Sequence, residues 1–572
     1  MPEITHRAVA DFIDEYSVLL ELSGENAFRI RAYTNAVRIF ENFQGDLTAL
    51  IAAGELTSIK GVGQSLADLI TEFGASGSAK AYEDLKASIP QGLLDMLKIQ
   101  GLGPKKIIAI HQKMEIDTID GLEQACKQDQ LSQLSGFGKK TQENILKSIE
   151  HLRQYQGQFR VDVAVEAAHV LLAALAAHPK TLRVELAGSL RRRKEVVKDI
   201  DLVLSSDHPE EVSQAFAAHE AVEEVLAQGE TKTTVRLKNG MQADLRIVAD
   251  ADFPFILHHF TGSKEHNVAL RARAQSGAMK LNEYGLFRGD QRQDCKDETA
   301  LFAALDLSYI APELREDMGE IEAAENETLP QLIQPKDIRG MLHVHSVYSD
   351  GENSIAEMAQ AVQERGYSYL GMCDHSRSAA YAGGLQVDAV RRQQEEINQL
   401  NEQFSDFHIF KGIESDILAD GALDYDDEVL ASFDFIVVSV HSQFNMKEAD
   451  MTRRIVRAIE HPRSTIVGHL TGRLLLEREG YSVDVNAVIE AAAACDVAIE
   501  VNANPYRLDI DWRYLRQARD RGVKIAVNTD AHRISGFDHI GHGVDMARKG
   551  WLRAEDVINT LETEPIAAYF AR

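Results

Sequence analysis

After residue 340 the sequence repeats one pattern, in which a short apolar segment is followed by a polar segment of helical character. Short apolar runs predict buried strands, and helices between them make the strands run parallel. Seven such segments occur, one fewer than in the usual eight-stranded β/α barrel. We therefore expect a distorted (β/α)7 barrel over residues 339–572. Its predicted strands are Met341–His345, Tyr369–Cys373, His408–Ile413, Phe435–Val440, Thr465–Val467, Val497–Val501 and Lys524–Val527.

Histidine, aspartate and glutamate residues stand at the ends of these predicted strands. A β/α barrel builds its active site from the C-terminal ends of its strands, so these side chains should converge. One histidine there is more often a buried polar group than a ligand, but nine candidates in successive places are hard to explain by chance. Mixed imidazole and carboxylate ligands favour Mn²⁺, Zn²⁺ or Fe²⁺, and nine allow up to three ions that can activate water. The candidates are His343, His345, Asp350, His375, Glu414, His441, His469, Asp530 and His532.

Three further polar residues, Asp374, Asn502 and Arg507, lie near these candidates in the sequence. Hydrogen-bond partners commonly orient metal ligands from behind, and these residues are suited to that role. Ordinary exposed polar residues are an equally good interpretation at this stage.

A second carboxylate cluster lies in the middle of the chain, where the pattern changes to mixed α/β. Asp199 and Asp201 are two residues apart on a predicted strand, so both carboxylates face the same side, and Asp244 lies on a later strand. Oxygen ligands of this kind suit Mg²⁺ or Mn²⁺, two of which clamp the attacking and leaving oxygens of a phosphoryl transfer. The predicted strands are Leu182–Ala187, Ile200–Leu204, Thr233–Leu237 and Ala243–Val248.

The residues just before the aspartates suit a triphosphate. Gly188 and Ser189 offer turn amides and a hydroxyl, and Arg192 offers a cation. An Asp-x-Asp motif alone is more often a surface strand with alternating charge. The glycine, serine and arginine beside it favour a nucleotide site instead.

Residues 1 to about 155 read as short amphipathic helices that contain an imperfect repeat. Each copy is a Gly-apolar-Gly turn followed by a helix, which is typical of a helix-hairpin-helix. Amides at the start of the second helix can hold a phosphate, and a nearby lysine can neutralise it. Three copies predict DNA backbone binding without sequence preference. The candidate contacts are Gly61, Gly63, Gly101, Gly103, Lys105, Gly136, Gly138 and Lys139.

The net charge of −28 argues at first against a nucleic-acid partner. The position of the basic groups matters more than their sum, and small basic sets coincide with the motifs above. The segment Glu313 to Glu327 is strongly acidic, with seven acids against one base, in a stretch that also contains Pro312, Pro330 and Pro335. We expect this stretch to be a linker, whose acids can carry negative charge without touching a ligand.

Other features are those of an ordinary globular chain. The sequence is 44% apolar and 26% charged, and its four cysteines form no CxxC pair. No apolar run is long enough to span a membrane, and the first residues do not resemble a secretion signal. We expect a cytoplasmic protein without disulfides or a thiolate zinc site.

With these motifs in view, residues 1–310 resemble a family X DNA polymerase, whose nucleotidyltransferase signature matches Gly188 through Asp201. The resemblance implies that Asp199 and Asp201 bind both metals and that Asp244 helps to activate the primer 3′-hydroxyl. Ser189 and Arg192 would contact the triphosphate, with Arg160 as a further candidate. Thr261, Gly262, Lys264, Asn267 and the stretch Asn282-Glu283-Tyr284 are further matches around the nucleotide.

The C-terminal region resembles the PHP (polymerase and histidinol phosphatase) domain over residues 340–572. Its ligand order is matched throughout, except that many relatives have histidine where Asp350 stands. This difference bears on which metal is held there. The ligands themselves predict a site, not a particular ion.

Four positions depart from the polymerase family in three respects. Ser65 and Leu69 occupy the places of two lysines that support a deoxyribose-phosphate lyase in a vertebrate member, and Lys60 is the only near substitute. A Schiff base needs an amine, so we expect little or no lyase activity. His259 replaces an aromatic residue, and Lys264 replaces a frequent acid, where a cation would strengthen nucleotide binding. Unchanged nucleotide affinity in Lys264→Ala would refute that last idea.

The resemblances together imply a multidomain repair enzyme that fills gaps in DNA from dNTPs and processes 3′ ends as a 3′–5′ exonuclease, with abasic-site endonuclease and 3′-phosphatase activity left open. Gapped or nicked DNA, no membrane and a monomeric state are expected. The alternatives are a PHP nuclease with weak polymerase activity and, less favoured, a DNA-end scaffold.

The expected parts are an N-terminal helical DNA-binding domain (1–90), a fingers-like helical domain (91–158), an α/β nucleotidyltransferase palm (159–250), a C-terminal polymerase subdomain (251–315), a linker (316–338) and the PHP barrel (339–572).

Overall fold

The computed structural model describes residues 6–571 apart from 42, 44, 46 and 100, without the side chains of 7, 41, 151 and 154. The chain divides into two compact units, Met1–Gln156 and Gly157–Arg572. Within the described residues, no helix is both long and apolar enough to cross a membrane.

Helices build the first unit around one apolar core. Three of them begin directly after the second glycine of a Gly-x-Gly motif, as the sequence predicts. The helix-hairpin-helix expectation is confirmed. The helices are α1 (His6–Leu22), α2 (Ala27–Glu41), α3 (Leu47–Ala53), α4 (Gln64–Ser76), α5 (Lys80–Ser88), α6 (Gln91–Met96), α7 (Pro104–Met114), α8 (Ile119–Lys127) and α9 (Lys139–Tyr155).

The second unit begins with the mixed α/β region. Its main sheet has the order β2-β4-β7-β6-β5, in which β4 and β7 are parallel neighbours. The elements are β1 (Phe159–Arg160), α10 (Val161–Ala177), β2 (Arg183–Leu186), α11 (Gly188–Arg191), β3 (Val196–Val197), β4 (Asp199–Ser205), α12 (Pro209–Ala217), β5 (Val222–Gln228), β6 (Lys232–Leu237), β7 (Gln242–Val248), α13 (Phe253–Thr261), α14 (Lys264–Ser276), β8 (Lys280–Asn282), β9 (Gly285–Arg288), β10 (Gln291–Arg292) and α15 (Glu298–Ala303).

The barrel follows, and its seven strands pair in sequence order, each parallel to the next. A bridge between Val344 and Ala531 brings the end of the last strand beside the first, so the barrel is nearly closed. The predicted (β/α)7 architecture is confirmed. Its elements are β11 (Gly340–Val344), α17 (Ile355–Glu364), β12 (Tyr369–Met372), α18 (Val387–Asn401), β13 (His408–Asp416), α19 (Asp427–Leu430), β14 (Phe435–Ser439), α20 (Glu448–Ile459), β15 (Ile466–Val467), α21 (Val485–Cys495), β16 (Ala498–Asn502), α22 (Leu515–Asp520), β17 (Ile525–Asn528), α23 (Ile540–Lys549) and α24 (Thr563–Phe570), and the helix α16 (Glu320–Glu325) precedes them.

The segment 316–338, which is predicted to be a linker, is folded against neighbouring parts of the chain. Helix α16 buries Ile321 and Ala324, and Ile333 is fully buried. Its acidic groups have partners, since Glu316 lies 2.6 Å from Lys549 and Glu320 lies 2.7 Å from His266. The charge pattern misleads because the matching bases come from positions far away in the sequence. The segment is a folded connector.

Candidate active sites

The three aspartates of the middle region lie together on the main sheet. Strands β4 and β7 pair so that Asp201 stands directly beside Asp244, and Asp199 faces the same side. Burial raises the pKa of Asp201 to about 7, and the charges of Asp199 and Asp244 add to the rise. Burial and Asp244 also raise the pKa of Asp199. Carboxylates that repel one another in this way are suited to share divalent cations.

Gly188 begins the short helix α11 next to these carboxylates, with a φ of 61°. A Cβ atom at this position would lie 2.0 Å from Oδ2 of Asp201, so only glycine fits. The first turn of α11 therefore approaches the aspartates closely enough to share a ligand with them.

A cleft of about 460 Å³ joins the aspartates to most of the predicted nucleotide contacts. Asn267 donates a hydrogen bond to the backbone oxygen of His259, 2.8 Å away, and Lys264 is exposed at the rim. The cleft is lined by Gly188, Ser189, Arg192, Asp199, Asp201, His259, Phe260, Gly262, Lys264, Asn267, Val268 and Arg271.

Thr261 is placed differently from the expectation for a nucleotide contact. Its side chain is fully buried, and its hydroxyl donates to the backbone oxygen of Leu257 while accepting from Arg191. Its backbone oxygen accepts from Nη1 of Arg192 at 2.5 Å. Thr261 is therefore connected to the nucleotide cleft through its contact with Arg192, which lines that cleft.

Arg160 also lies apart from the cleft-lining residues. Its guanidinium binds both carboxylate oxygens of Asp162 and stacks on the ring of Tyr506, 3.4 Å from the ring centre. The structure thus gives Arg160 a partner on the barrel and no place in the triphosphate cleft.

Two residues that bind Asp244 were missed by sequence reasoning. Lys232 lies 2.9 Å from Oδ2 of Asp244, and the hydroxyl of Thr234 donates to Oδ1 at 2.6 Å. Both come from β6, the antiparallel neighbour of β7. The predicted strand began at Thr233, so it included Thr234 but not Lys232, and the strand with which it pairs was unknown.

The barrel brings all nine candidate ligands together at the C-terminal ends of its strands. Glu414 lies at the centre, with Oε1 2.9 Å from His469 and 3.3 Å from both His343 and His441. Its Oε2 lies 2.9 Å from His375. The remaining candidates surround this group in overlapping sets, namely His345 with Asp350, His375 and His532, and His343 with His469 and Asp530.

The chemistry of these side chains fits bound metal ions. Among the described residues, several buried ligand atoms make no hydrogen bond although they lie close together, including both nitrogens of His345 and Oε2 of Glu414. Burial lowers the pKa of His345 to about 3, which leaves the imidazole neutral with a free lone pair. Burial alone would raise the pKa of Glu414, but His441 and His343 hold it well below its usual range. Although burial alone would lower them, nearby carboxylates raise the pKa values of His343, His375 and His441, so without a metal these rings hold protons that a bound cation would displace. Neutral imidazoles and ionised carboxylates are the forms that bind metals.

Partners behind the ligands fix their orientation. Nδ1 of His343 lies 2.6 Å from Glu500, and Nδ1 of His441 lies 2.6 Å from Asp416, leaving Nε2 of each ring to face Glu414. Sequence reasoning missed both acids, because a carboxylate inside a strand carries no sign of its partner.

The three suggested outer residues are all placed near the ligands. Asn502 donates to Oδ2 of Asp530 at 3.1 Å, and Arg507 lies 3.8 Å from the same oxygen. Asp374 accepts from the amide of Ser346 at 2.8 Å and precedes His375 in the chain. Asp374 and Asn502 are fully buried, which excludes the interpretation of these two as surface residues.

The Gly-x-Gly turns of the first unit share one conformation. The first glycines have φ values of 100°, 86° and 95° at Gly61, Gly101 and Gly136. The second glycines, Gly63, Gly103 and Gly138, are extended and cap the following helices. The lysines Lys105 and Lys139 are exposed beside the turns. This geometry presents helix amides and cations to a phosphate.

The first unit also bears on the lyase expectation. Leu69 is buried in the core, and Ser65 and Lys60 are exposed. Ser65 and Leu69, which occupy the places of the two lyase lysines, therefore provide no amine.

The folds and sites define a class: a DNA-binding enzyme that couples a nucleotidyl-transfer centre to a metal-dependent phosphoesterase barrel. Family models match in four places, described as a helix-hairpin-helix domain (5–79), a SAM-like helix-hairpin-helix tandem (93–150), a DNA polymerase beta thumb (256–316) and a PHP domain (341–504).

Curated relatives agree with this class. The DNA polymerase/3′-5′ exonuclease PolX of Bacillus subtilis (strain 168) is 36% identical over 564 residues, 98% of each chain. A probable phosphatase of Thermoanaerobacter sp. (strain X514) is 25% identical over 38% of this chain and 89% of its own. A repair DNA polymerase X of African swine fever virus is 28% identical over 22% of this chain and 78% of its own. The chain belongs to the bacterial family X DNA polymerases that carry a PHP domain, and its enzyme class is DNA polymerase with 3′–5′ exonuclease activity.

Proposed function

We propose that this enzyme fills short gaps in damaged DNA from dNTPs and trims 3′ ends that cannot be extended. The observation that carries the proposal is that one compact unit gathers three aspartates on its main sheet and nine His, Asp and Glu side chains at the strand ends of its barrel. Because one chain holds every residue of both centres, a monomer suffices.

In the polymerase centre, Asp199, Asp201 and Asp244 would hold Mg²⁺ or Mn²⁺, which stabilises the charge that develops on the transferred phosphate. Gly188, Ser189, Arg192, Lys264 and Asn267 line the cleft that would receive the nucleotide. The primer 3′-hydroxyl attacks the α-phosphorus, and pyrophosphate leaves. Asp244 would orient that hydroxyl, with Lys232 and Thr234 fixing the carboxylate.

In the barrel, the nine ligands would hold up to three ions of Mn²⁺, Zn²⁺ or Fe²⁺, which supply an activated water at neutral pH. Water attacks the last phosphodiester and releases a nucleoside monophosphate and a new 3′-hydroxyl. Glu500 and Asp416 keep His343 and His441 in the orientation that reaches this site. Oligonucleotides ending in a 3′-phosphate or containing an abasic site would show whether the same site also acts on those substrates.

The hairpin residues of the first unit would bind the DNA backbone. Gly61, Gly63, Gly101, Gly103, Gly136 and Gly138 shape the turns, and Lys105 and Lys139 supply charge.

One experiment tests the division of labour. Gapped DNA with dNTPs and Mn²⁺ is given to the wild type, to Asp199→Ala/Asp201→Ala and to His343→Ala/His345→Ala. The first double variant should lose synthesis but keep 3′ degradation, and the second should do the reverse, because the two ligand sets share no residue.

Loss of both activities in either variant would contradict separate centres. A wild type that degrades 3′ ends but scarcely extends a primer would favour the alternative of a PHP nuclease with weak polymerase activity.

A further inference from the structure

Barrel residues hold the loop that follows the nucleotide-binding turn. This loop, residues 192–195, connects α11 to β3. Trp512 donates from its indole nitrogen to Glu195 at 3.1 Å, and Asp545 lies 3.5 Å from Arg193. Lys549, the last residue of α23, donates to the backbone oxygen of Arg192 at 2.9 Å. The loop is thus attached to the barrel along its length.

Glu316 forms a second connection between the same residues. Its Oε1 lies 2.6 Å from Nζ of Lys549 and 3.1 Å from Nε of Arg192. Lys549 is fully buried and Glu316 nearly so. Burial lowers the pKa of Lys549 to about 8, with Glu316 opposing the fall, so the amine is charged at neutral pH.

Burying a charged lysine here costs stability that an apolar side chain of similar size would not. The position of Lys549 is explained by its contacts with Glu316 and with the backbone of Arg192. Nε of Arg192 is fixed by Glu316 and Nη1 by the backbone oxygen of Thr261, 2.5 Å away. Two of the three guanidinium nitrogens are thereby fixed, and the arginine lines the nucleotide cleft in one orientation.

We infer that Lys549 of the barrel is a positioning residue for DNA synthesis, which acts through Glu316 to hold Arg192 ready for the triphosphate. The inference rests on the proposed role of Arg192 in binding the nucleotide. It makes the affinity of the polymerase centre for dNTPs depend on the barrel, without any part for the barrel's metal ligands.

The test uses Lys549→Met in the full chain, with steady-state synthesis on gapped DNA. The KM for dNTP should rise about tenfold, the effect of losing one charge-assisted hydrogen bond, with kcat changed less than about twofold. The 3′–5′ exonuclease of the same variant should be unchanged, which reports that the barrel is folded.

Arg548→Met is the matched control. Arg548 also joins α23 to the connector, through Glu313 at 2.8 Å and the backbone oxygen of Ile333 at 2.8 Å, but it touches neither Glu316 nor Arg192. Its KM for dNTP should stay at the wild-type value. An equal rise in both variants would mean general loosening of the interface and would overturn the inference.

Two further variants keep the outcomes separate. Glu316→Gln keeps the shape of the side chain but removes its charge, and it should raise the KM as Lys549→Met does. A wild-type KM in Glu316→Gln overturns the inference even if Lys549→Met fails to fold. Arg192→Ala tests the proposed function alone. If Arg192→Ala leaves the KM for dNTP unchanged, Arg192 does not bind the nucleotide and the proposed function of this residue is wrong. If Arg192→Ala raises the KM but Glu316→Gln has the wild-type KM, only the link from Lys549 to Arg192 is overturned.

Discussion

At Gly188 the backbone comes so close to Asp201 that only a hydrogen atom fits between them. Gly188→Ala should therefore displace the carboxylate and lower DNA synthesis about a hundredfold, as expected for a misplacement of about 1 Å in a catalytic site. Primer extension in single-turnover mode would measure the loss. The exonuclease should not change.

Gly541→Ala is the control, since a Cβ atom there meets nothing within 4 Å. Wild-type synthesis by Gly188→Ala would show that the approach of Gly188 to Asp201 has no part in catalysis.

The raised pKa of Asp201 predicts how the stability of the fold changes with pH. Its pKa is raised from 3.8 to about 7, chiefly by burial, so the folded state binds its proton more tightly than the unfolded state does. Stability from this group is therefore lost as pH rises through about 7. Without divalent ions, Asp201→Asn should melt at a higher temperature than the wild type at pH 8, and the difference should shrink toward pH 5.

Thermal melts in chelator would measure this difference, with the exposed Asp290→Asn as control. Adding Mg²⁺ at pH 8 should reduce or reverse it, because the ion binds the folded wild type. An Asp201→Asn protein no more stable than the wild type at pH 8 would rule out charge repulsion at the cluster.

Single residues also show where sequence reasoning stops. The nine barrel candidates could be named in advance because each follows an apolar strand, and the fold gathers strand ends. Glu500 and Asp416 could not, since their roles depend on which imidazole nitrogen faces the cluster. Thr261 and Arg160 were placed by family resemblance, and their actual contacts depend on neighbours from distant parts of the chain.

At the scale of elements, strands buried on both faces were predicted well. All seven barrel strands occur within a few residues of their expected bounds, because burial on both faces requires continuous apolar runs. Edge strand β5 was missed, since six of its seven side chains are exposed and its sequence has no alternation. The linker predicted at 316–338 is a folded connector, which the sequence does not reveal because its buried acids look like exposed ones.

The hairpin elements carry a prediction about DNA affinity. Lys139 is the first residue of α9 and is exposed beside the turn at Gly138. Lys139→Ala should weaken binding to gapped DNA of any sequence and reduce the salt dependence by about one phosphate contact. Fluorescence anisotropy between low and moderate salt would measure both.

Lys127→Ala is a suitable comparison, because Lys127 lies in the same unit but is paired with Glu123 at 2.5 Å. Equal losses for the two variants would mean that the lysine at the turn has no special place in DNA binding.

At the scale of the whole molecule, the net charge of −28 is compatible with a DNA substrate because of how the acids are used. Some lie in the aspartate cluster of the main sheet and in the cluster of candidate ligands on the barrel, where bound cations would offset them. Others, such as Glu316 and Glu313, bind bases that join the connector to the barrel. The bases beside the hairpin turns stay exposed and available to phosphate.

The two centres should respond differently to metal ions. The polymerase centre offers only carboxylate oxygens, which suit Mg²⁺, whereas the barrel offers six imidazoles beside three carboxylates, which suit ions of softer character. After removal of metals by a chelator, Mg²⁺ alone should restore gap filling with little 3′ degradation, and Mn²⁺ should restore both. Synthesis and degradation can be followed on the same labelled primer. His343→Ala/His345→Ala provides the control, because it should match the wild type in Mg²⁺ and differ from it only in Mn²⁺. Full recovery of degradation in Mg²⁺ alone would show that the nitrogen ligands do not set the metal preference of the barrel.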